Sequence, residues 1–389
     1  MVKPAREGHR MKIGRIESFH LRYTDTNDFS NRRETVLVRV ETVDGVVGWG
    51  EGIAMWPEAC KAVCAIIDDG LKPLLLGAGE LTVEQAWTAM RKHCWWYGEG
   101  GLACFAYSAI DMALWDIEGK IQSKPLFELF GGKHHDSLLA YAANHVNKAT
   151  LEENVAEVVD FQRQGYRGVK LGFGKRGLSD VGRNPEGDVR FVRALREALG
   201  PDFEIIVDVG NGVVWDRDTA IRTVRAMAEY DIGWIEEPFY PTQIDDYRAL
   251  KATVSVPIAS GEREWTVSGY SRLIDTGTVD VIGCDPARAE GITGFRKIDA
   301  LCGAAGITMN AHAWSSAILS AASLHLSIAS PNTRLFEFKP FPNALLRDLV
   351  DAPIVQRNGM AQPSDRPGLG VEVDEAVVAR LAGEHWESK

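Results

Sequence analysis

Three apolar runs of the 389-residue chain each close on a carboxylate: IIVD at Asp208, WIE at Glu236 and IASGE at Glu262. The intervals of 28 and 26 residues are what one strand, one helix and two loops require. In a parallel barrel consecutive strands are neighbours and their C-terminal ends open on one face, so the three acids converge. Carboxylates gathered without a counter-ion repel one another and take up protons. A hard divalent cation, most simply Mg²⁺, removes that conflict and prefers oxygen ligands. The alternative is three unrelated acids in solvated loops. The same spacing continues beyond this stretch, which argues against it.

Apolar strand candidates begin near Leu139, Gly168, Ile205, Trp234, Pro257, Val279, Ile307 and Leu335, at intervals of 22 to 37 residues. Amphipathic segments lie between them. In residues 216–230, for example, Ile221, Val224, Met227 and Ala228 share one helix face. Eight strands alternating with helices predict an α/β parallel barrel. A doubly wound open sheet would want a glycine-rich phosphate loop after its first strand, and LLAYAANHVN offers none.

The N-terminal third reads differently. Residues 12–52 alternate around Asp44-Gly45, the dipeptide favoured in tight hairpins. The polar stretch 23–33 before that turn is either a connector or a mobile lid. Residues 102–132 turn helical, with Ala106, Ile110, Ala113, Leu114 and Ile117 on one face, and Gly131-Gly132 reads as a boundary. Strands followed by helices predict an α+β domain. The expected division is a cap over 1–132, a barrel over 133–345 and a C-terminal segment over 346–389.

Lys+Arg 43 against Asp+Glu 54 gives a net charge of −11 with no long basic run, which argues against nucleic acid and anionic membranes as partners. No apolar run reaches the length of a membrane span. The first residues lack an apolar leader core, so the expectation is a cytoplasmic protein. Cys60 and Cys64 sit one helical turn apart and read as a buried helix face with free thiols.

Other predicted strand ends carry chemistry. The sixth closes on Asp285 and the seventh on His312, so an acid stands beside an imidazole and raises its basicity. The eighth contains Glu337, expected to stay protonated beside a carboxylate ligand and donate to it. The second contains Lys170, a cation suited to an anionic ligand or to the metal carboxylates.

These residues, together with the GWGE hairpin, AIDMALWDIEGK, KPLFELFGG, WIEEP, SGE and RPGLGVEVD, resemble the enolase superfamily and within it the mandelate racemase subgroup, over essentially the whole chain. The resemblance implies a modified (β/α)₇β TIM barrel under an α+β capping domain to which the last segment returns. It implies Asp208, Glu236 and Glu262 as Mg²⁺ ligands and His312 with Asp285 as the general base. It also implies Glu337 as donor to the substrate carboxylate, and a homo-oligomer acting on a small acid sugar. Residues 23–33 then become a specificity lid, with Tyr23, Arg33, Asn211 and His145 as substrate-binding candidates. The subgroup's Lys-x-Lys is here Lys170-Leu171-Gly172, so the opposing base is missing unless Lys175 serves. A single base suits dehydration of a sugar acid to a 2-keto-3-deoxy acid, with partial similarity to L-rhamnonate dehydratases. An aldarolactone cycloisomerase, a racemase or epimerase, and a non-catalytic metal-binding relative are the alternatives.

Overall fold

The computed structural model describes residues 8–27, 32–174, 178–210, 213 and 215–383. Its first unit is a four-stranded antiparallel sheet in the order β3-β2-β1-β4: β1 Met11–Thr24, β2 Arg32–Thr42, β3 Val47–Met55 and β4 Glu80–Leu81. The Asp44-Gly45 turn joins β2 to β3, with Gly45 at φ 83°, a conformation glycine adopts without a Cβ penalty.

The long helix Leu102–Ile121 lies across this sheet, and β3 explains how it comes so close. Gly48, Gly50 and Gly52 fall on one face of the strand, because side chains alternate. They oppose the carbonyls of Ala113, Ala109 and Phe105, four residues apart on the helix. A Cβ on Gly50 would stand 1.9 Å from the Ala109 oxygen, and one on Gly48 would stand 2.2 Å from that of Ala113. The GWGEG run is therefore a packing groove for a helix backbone.

The barrel follows as eight parallel strands: β5 Leu138–His145, β6 Gly168–Gly172, β7 Glu204–Asp208, β8 Ile235–Glu236, β9 Ile258–Ser260, β10 Val281–Cys284, β11 Thr308–Ala311 and β12 Leu335–Phe338. From β5 to β11 each pairs with its sequence neighbour, and β12 returns to pair with β5. β11 and β12 lie beside one another without a ladder, so the barrel is nearly closed. Among the described residues seven α-helices connect the eight strands, the (β/α)₇β arrangement. Their starts are signalled locally, by a Thr150/Glu153 capping box and by Asn184, Asp216, Thr266 and Ser316 as side-chain caps.

One continuous apolar cluster joins Ile16, Val38 and Ile110 of the cap to Ile292, Ile318 and Leu319 of the barrel and to Leu369, Val378 and Leu381 near the C-terminus. Across the interface Asp111 accepts from the Thr293 N–H and hydroxyl at 2.9 and 2.7 Å. The helix Glu375–Gly383 packs on β1, and Leu369 N donates to Asp116 of the long helix. Among the described residues no helix is long and apolar enough to cross a membrane.

The polar stretch 23–33 is shorter than expected. β1 runs to Thr24 and β2 starts at Arg32, so Tyr23 and Arg33 are cross-strand neighbours in a regular ladder. Period-2 alternation is invisible when both strand faces carry polar groups. The connecting turn is residues 25–31, of which 28–31 lie outside the described residues.

Gly50→Ala should lower stability by about 1–3 kcal/mol, because an overpacked contact against backbone relaxes poorly. A lower urea midpoint at unchanged slope would register it. A wild-type midpoint would contradict the close helix contact.

Candidate active site

The C-terminal ends of the barrel strands carry the ionisable groups. Asp208 closes β7 and pairs in register with Glu236, which closes β8. Strand parity aims both into the lumen: Ile206 and Trp234, two residues earlier, pack with Tyr141, Ala259, Val281 and Leu335 as the apolar floor beneath them. Glu262 reaches the same face by a different device. Gly261 takes φ 127°, and a Cβ there would meet the Gly283 carbonyl at 2.7 Å, so glycine is required to turn the chain after β9.

Glu236 is buried. Trp234 Nε1 donates to its Oε2 at 3.0 Å, and Lys170 Nζ lies 3.4 Å from its Oε1. Burial pushes its carboxyl up to about 7, Lys170 opposes that shift, and Asp208 and Glu262 add to it. That is the signature of anions crowded together in a dry place. The three carboxylates have the oxygen donor set of a hard divalent cation.

Lys170, in the middle of β6, crosses the lumen to Glu236 and to Glu337, whose Oε1 lies 3.0 Å from Nζ. Burial works against its charge, but Glu236 and Glu337 outweigh it and hold the ammonium protonated well above its usual range. Glu337 Oε2 accepts from the Ala313 N–H at 3.0 Å. With an ammonium on one oxygen and an N–H on the other, Glu337 is an acceptor here.

His312 follows β11, and its N–H still pairs with Cys284 of β10. Its Nδ1 donates to Asp285 Oδ2 at 2.7 Å, and Asp285 Oδ1 is held by the Ala287 N–H at 2.8 Å. The proton on Nδ1 leaves Nε2 as the basic nitrogen, and Nε2 faces Glu262 Oε2 at 3.9 Å. Burial alone would lower the imidazole pKa; Glu337 and Asp285 reverse this and raise it.

The remaining candidates are placed unevenly. Tyr23 is buried in the apolar core of the cap, which corrects its assignment as a substrate-binding residue: that side chain packs, it does not line a cleft. Arg33 is half-buried in β2. His145 closes β5 at the barrel mouth, with its ring 4.8 Å from Trp314 and its backbone N–H donating to Asn27 Oδ1 at 3.0 Å. Asn27 also reaches Asn144, and Asp25 pairs with the buried Lys339, two residues beyond Glu337. The start of the turn is thus anchored on the barrel rim. Asn211 and Lys175 lie outside the described residues.

Sequence reasoning missed two groups. Arg288 stands 3.5 Å from Asp285 and donates to the Glu262 carbonyl at 3.3 Å, tying the base to a metal-ligand candidate. Glu51, the acid of GWGEG, is fully buried and accepts from Thr35 Oγ1 at 2.7 Å and from the hydroxyls of Ser315 and Ser316. A cap residue thereby clamps the segment three and four residues after His312. Glu51 is flanked by glycines in the chain, and its two serine partners lie more than 260 positions away, so no local pattern could announce that clamp.

The descriptions that match are an N-terminal domain of mandelate racemase / muconate lactonizing enzyme over residues 26–131 and an enolase C-terminal domain-like region over 152–377. The chain belongs to the mandelate racemase and muconate lactonizing enzyme family of the enolase superfamily. It is 30% identical to a D-galactarolactone cycloisomerase of Agrobacterium fabrum over 88% of this chain and 90% of that one. It is also 30% identical to an arabinonate dehydratase of Saccharolobus solfataricus, over 88% and 89%. A solved racemase from Streptomyces coelicolor A3(2) with bound magnesium superposes at TM-score 0.84, with 28% identity, over 95% of this chain and 99% of that one.

Neutral His312 is the base form, and its raised pKa places the acid limb of kcat/KM above the ordinary histidine value of about 6.5. Asp285→Asn removes one of the charges that raise it. The limb should move to lower pH, with kcat reduced by about 10²-fold or more. An unmoved limb would contradict the dyad.

Proposed function

We propose that this enzyme removes the proton α to the carboxylate of an acid sugar with His312 as its single base, and that the enediolate then loses its β-hydroxyl. Asp208, Glu236 and Glu262 would hold Mg²⁺, which supplies Lewis-acid stabilisation of the developing enediolate charge. The observation that carries the reading is the asymmetry of the site. On one side stands His312, oriented by Asp285 with Nε2 turned toward Glu262. Lys170, the other candidate base, is a buried ammonium locked between Glu236 and Glu337, with Gly172 two residues on. A lysine in two ion pairs is a poor proton acceptor and a good source of fixed positive charge.

The chemistry balances with one base. Nε2 takes the α-proton, leaving an enediolate and an imidazolium that Asp285 stabilises. The Cβ–O bond breaks with its electron pair on oxygen, and the imidazolium returns the proton, releasing water. The resulting enol tautomerises to a 2-keto-3-deoxy acid, and His312 is again neutral. Lys170 Nζ, held between Glu236 and Glu337, would offset the charge of the substrate carboxylate in a site already rich in carboxylates.

Cycloisomerisation of an aldarolactone is the second reading, favoured by the similarity to the D-galactarolactone cycloisomerase. It needs the same proton abstraction and expels a ring carboxylate oxygen in place of hydroxide. Screening acid sugars and their lactones by NMR separates the two. Dehydration consumes an open-chain acid and yields a keto acid plus water, whereas cycloisomerisation consumes lactones only. Turnover of no acid sugar and no lactone would contradict both.

The metal reading is tested apart from the substrate. EDTA should abolish turnover and Mg²⁺ restore it. Glu236→Gln should lose Mg²⁺ binding by calorimetry while keeping the wild-type circular dichroism spectrum. Tight Mg²⁺ binding by that variant would contradict the ligand set.

A further inference from the structure

The capping domain contains a second cluster of ligating side chains, far in the chain from the strand-end carboxylates and chemically unlike them. His20 on β1, Glu34 on β2 and Cys60 on the helix Pro57–Ala65 each present one ligand atom, and the three atoms lie within 4.8 Å of one another. The ladder makes the meeting inevitable: Arg22 pairs with Glu34 and His20 with Val36, so His20 and Glu34 are diagonal neighbours on one face. Helix Pro57–Ala65 packs on that face and inserts Cys60, which is fully buried. His20 Nε2 contacts Glu34 Oε2, while Arg22 Nε sits 3.4 Å from the other oxygen, Oε1. One oxygen is thus oriented by a guanidinium and the other is turned to the imidazole and the thiol. Such support of a carboxylate ligand is the usual outer arrangement of a metal site.

We propose that His20, Glu34 and Cys60 bind one borderline divalent transition metal ion, Zn²⁺ in the first instance. The class follows from the donors. Imidazole nitrogen, carboxylate oxygen and thiolate sulfur on three elements match Zn²⁺ with one open position, whereas Mg²⁺ does not take thiolate. The His20 side chain is 15% exposed, which leaves solvent a route to the fourth position. Burial and the Glu34 charge keep the Cys60 thiol protonated in the free protein. Binding therefore forms the metal–sulfur bond and breaks the S–H bond, the proton passing to solvent. The ion would tie β1, β2 and the first helix together close to the turn end of the β1–β2 ladder, the end that approaches the barrel rim. Arg22 is the competing element, since it already neutralises part of the Glu34 charge. A plain buried ion-pair network is the alternative.

The test uses Co²⁺ as a spectroscopic stand-in, added to chelator-stripped protein held in excess Mg²⁺ so that the all-oxygen barrel site is filled. The expected result is a sulfur-to-cobalt charge-transfer absorption in the near ultraviolet that saturates at one equivalent per chain. It should be abolished by Zn²⁺, absent in Cys60→Ser and His20→Gln, and retained in Cys64→Ser. Release of one proton per ion at neutral pH, read in weakly buffered solution, should accompany it. Absence of the band in the folded wild type would overturn the proposal, and so would a band that survives Cys60→Ser. Because the signal requires thiolate, failure of the barrel metal reading leaves this result untouched, and the reverse holds equally.

Discussion

The buried ammonium of Lys170 organises the mouth of this barrel. Lys170 is enclosed on β6, yet it keeps its proton because Glu236 and Glu337 lie within 3.4 and 3.0 Å. Removing one partner of such a pair costs about 3–5 kcal/mol, since the other charge is left buried and uncompensated. Around it stand Asp208, Glu262 and Asp285, so carboxylates outnumber the nearby cations Lys170 and Arg288. Burial, with the charges of Asp208 and Glu262 adding to it, raises the carboxyl of Glu236, and the charges of Glu337 and Asp285 raise the imidazole of His312 against burial. On the proposed reading, that excess of carboxylates would suit a hard cation first, and through it an anionic substrate.

The rest of the fold holds those charges in register. Strand parity turns Asp208 and Glu236 inward above a floor of Ile206, Trp234 and Tyr141. The Trp234 ring both fills the floor and donates to Glu236, so packing and polarity of the site are set by the same side chain. The cap contributes through Glu51, whose carboxylate holds the hydroxyls of Ser315 and Ser316 just beyond His312. The glycine groove of β3 seats the long helix, and Glu51 lies between two of those glycines. Cap stability and placement of the base are therefore coupled through one strand.

Much of this was legible in the sequence because it rests on short-range periodicity. The eight barrel strands begin within two residues of the positions read from apolar runs, and the carboxylate and imidazole strand ends fall on one face. What escaped depends on contacts between distant segments. Tyr23 looked like a loop residue because its surroundings are polar, but the ladder with Arg33 and the core beneath it bury the ring. The ammonium beside Glu337 is contributed from a strand 167 residues earlier, a pairing that local spacing does not reveal. Cys60 and Cys64 read as a helix face, which holds for packing. The approach of His20 and Glu34 comes from β-register that one-dimensional spacing does not reveal.

On the proposed reading one residue, His312, handles the substrate proton. Incorporation of solvent deuterium at the α-carbon of an acid sugar measures that directly. Wild-type enzyme should exchange the α-proton of a bound acid sugar whose β-hydroxyl has been replaced so that elimination is blocked. His312→Asn should lose exchange while retaining Mg²⁺ and ligand binding, and Lys170→Ala should weaken binding while keeping exchange on the same face. Exchange that persists in His312→Asn, or that depends on Lys170 for one enantiomer and on His312 for the other, would contradict the single-base account.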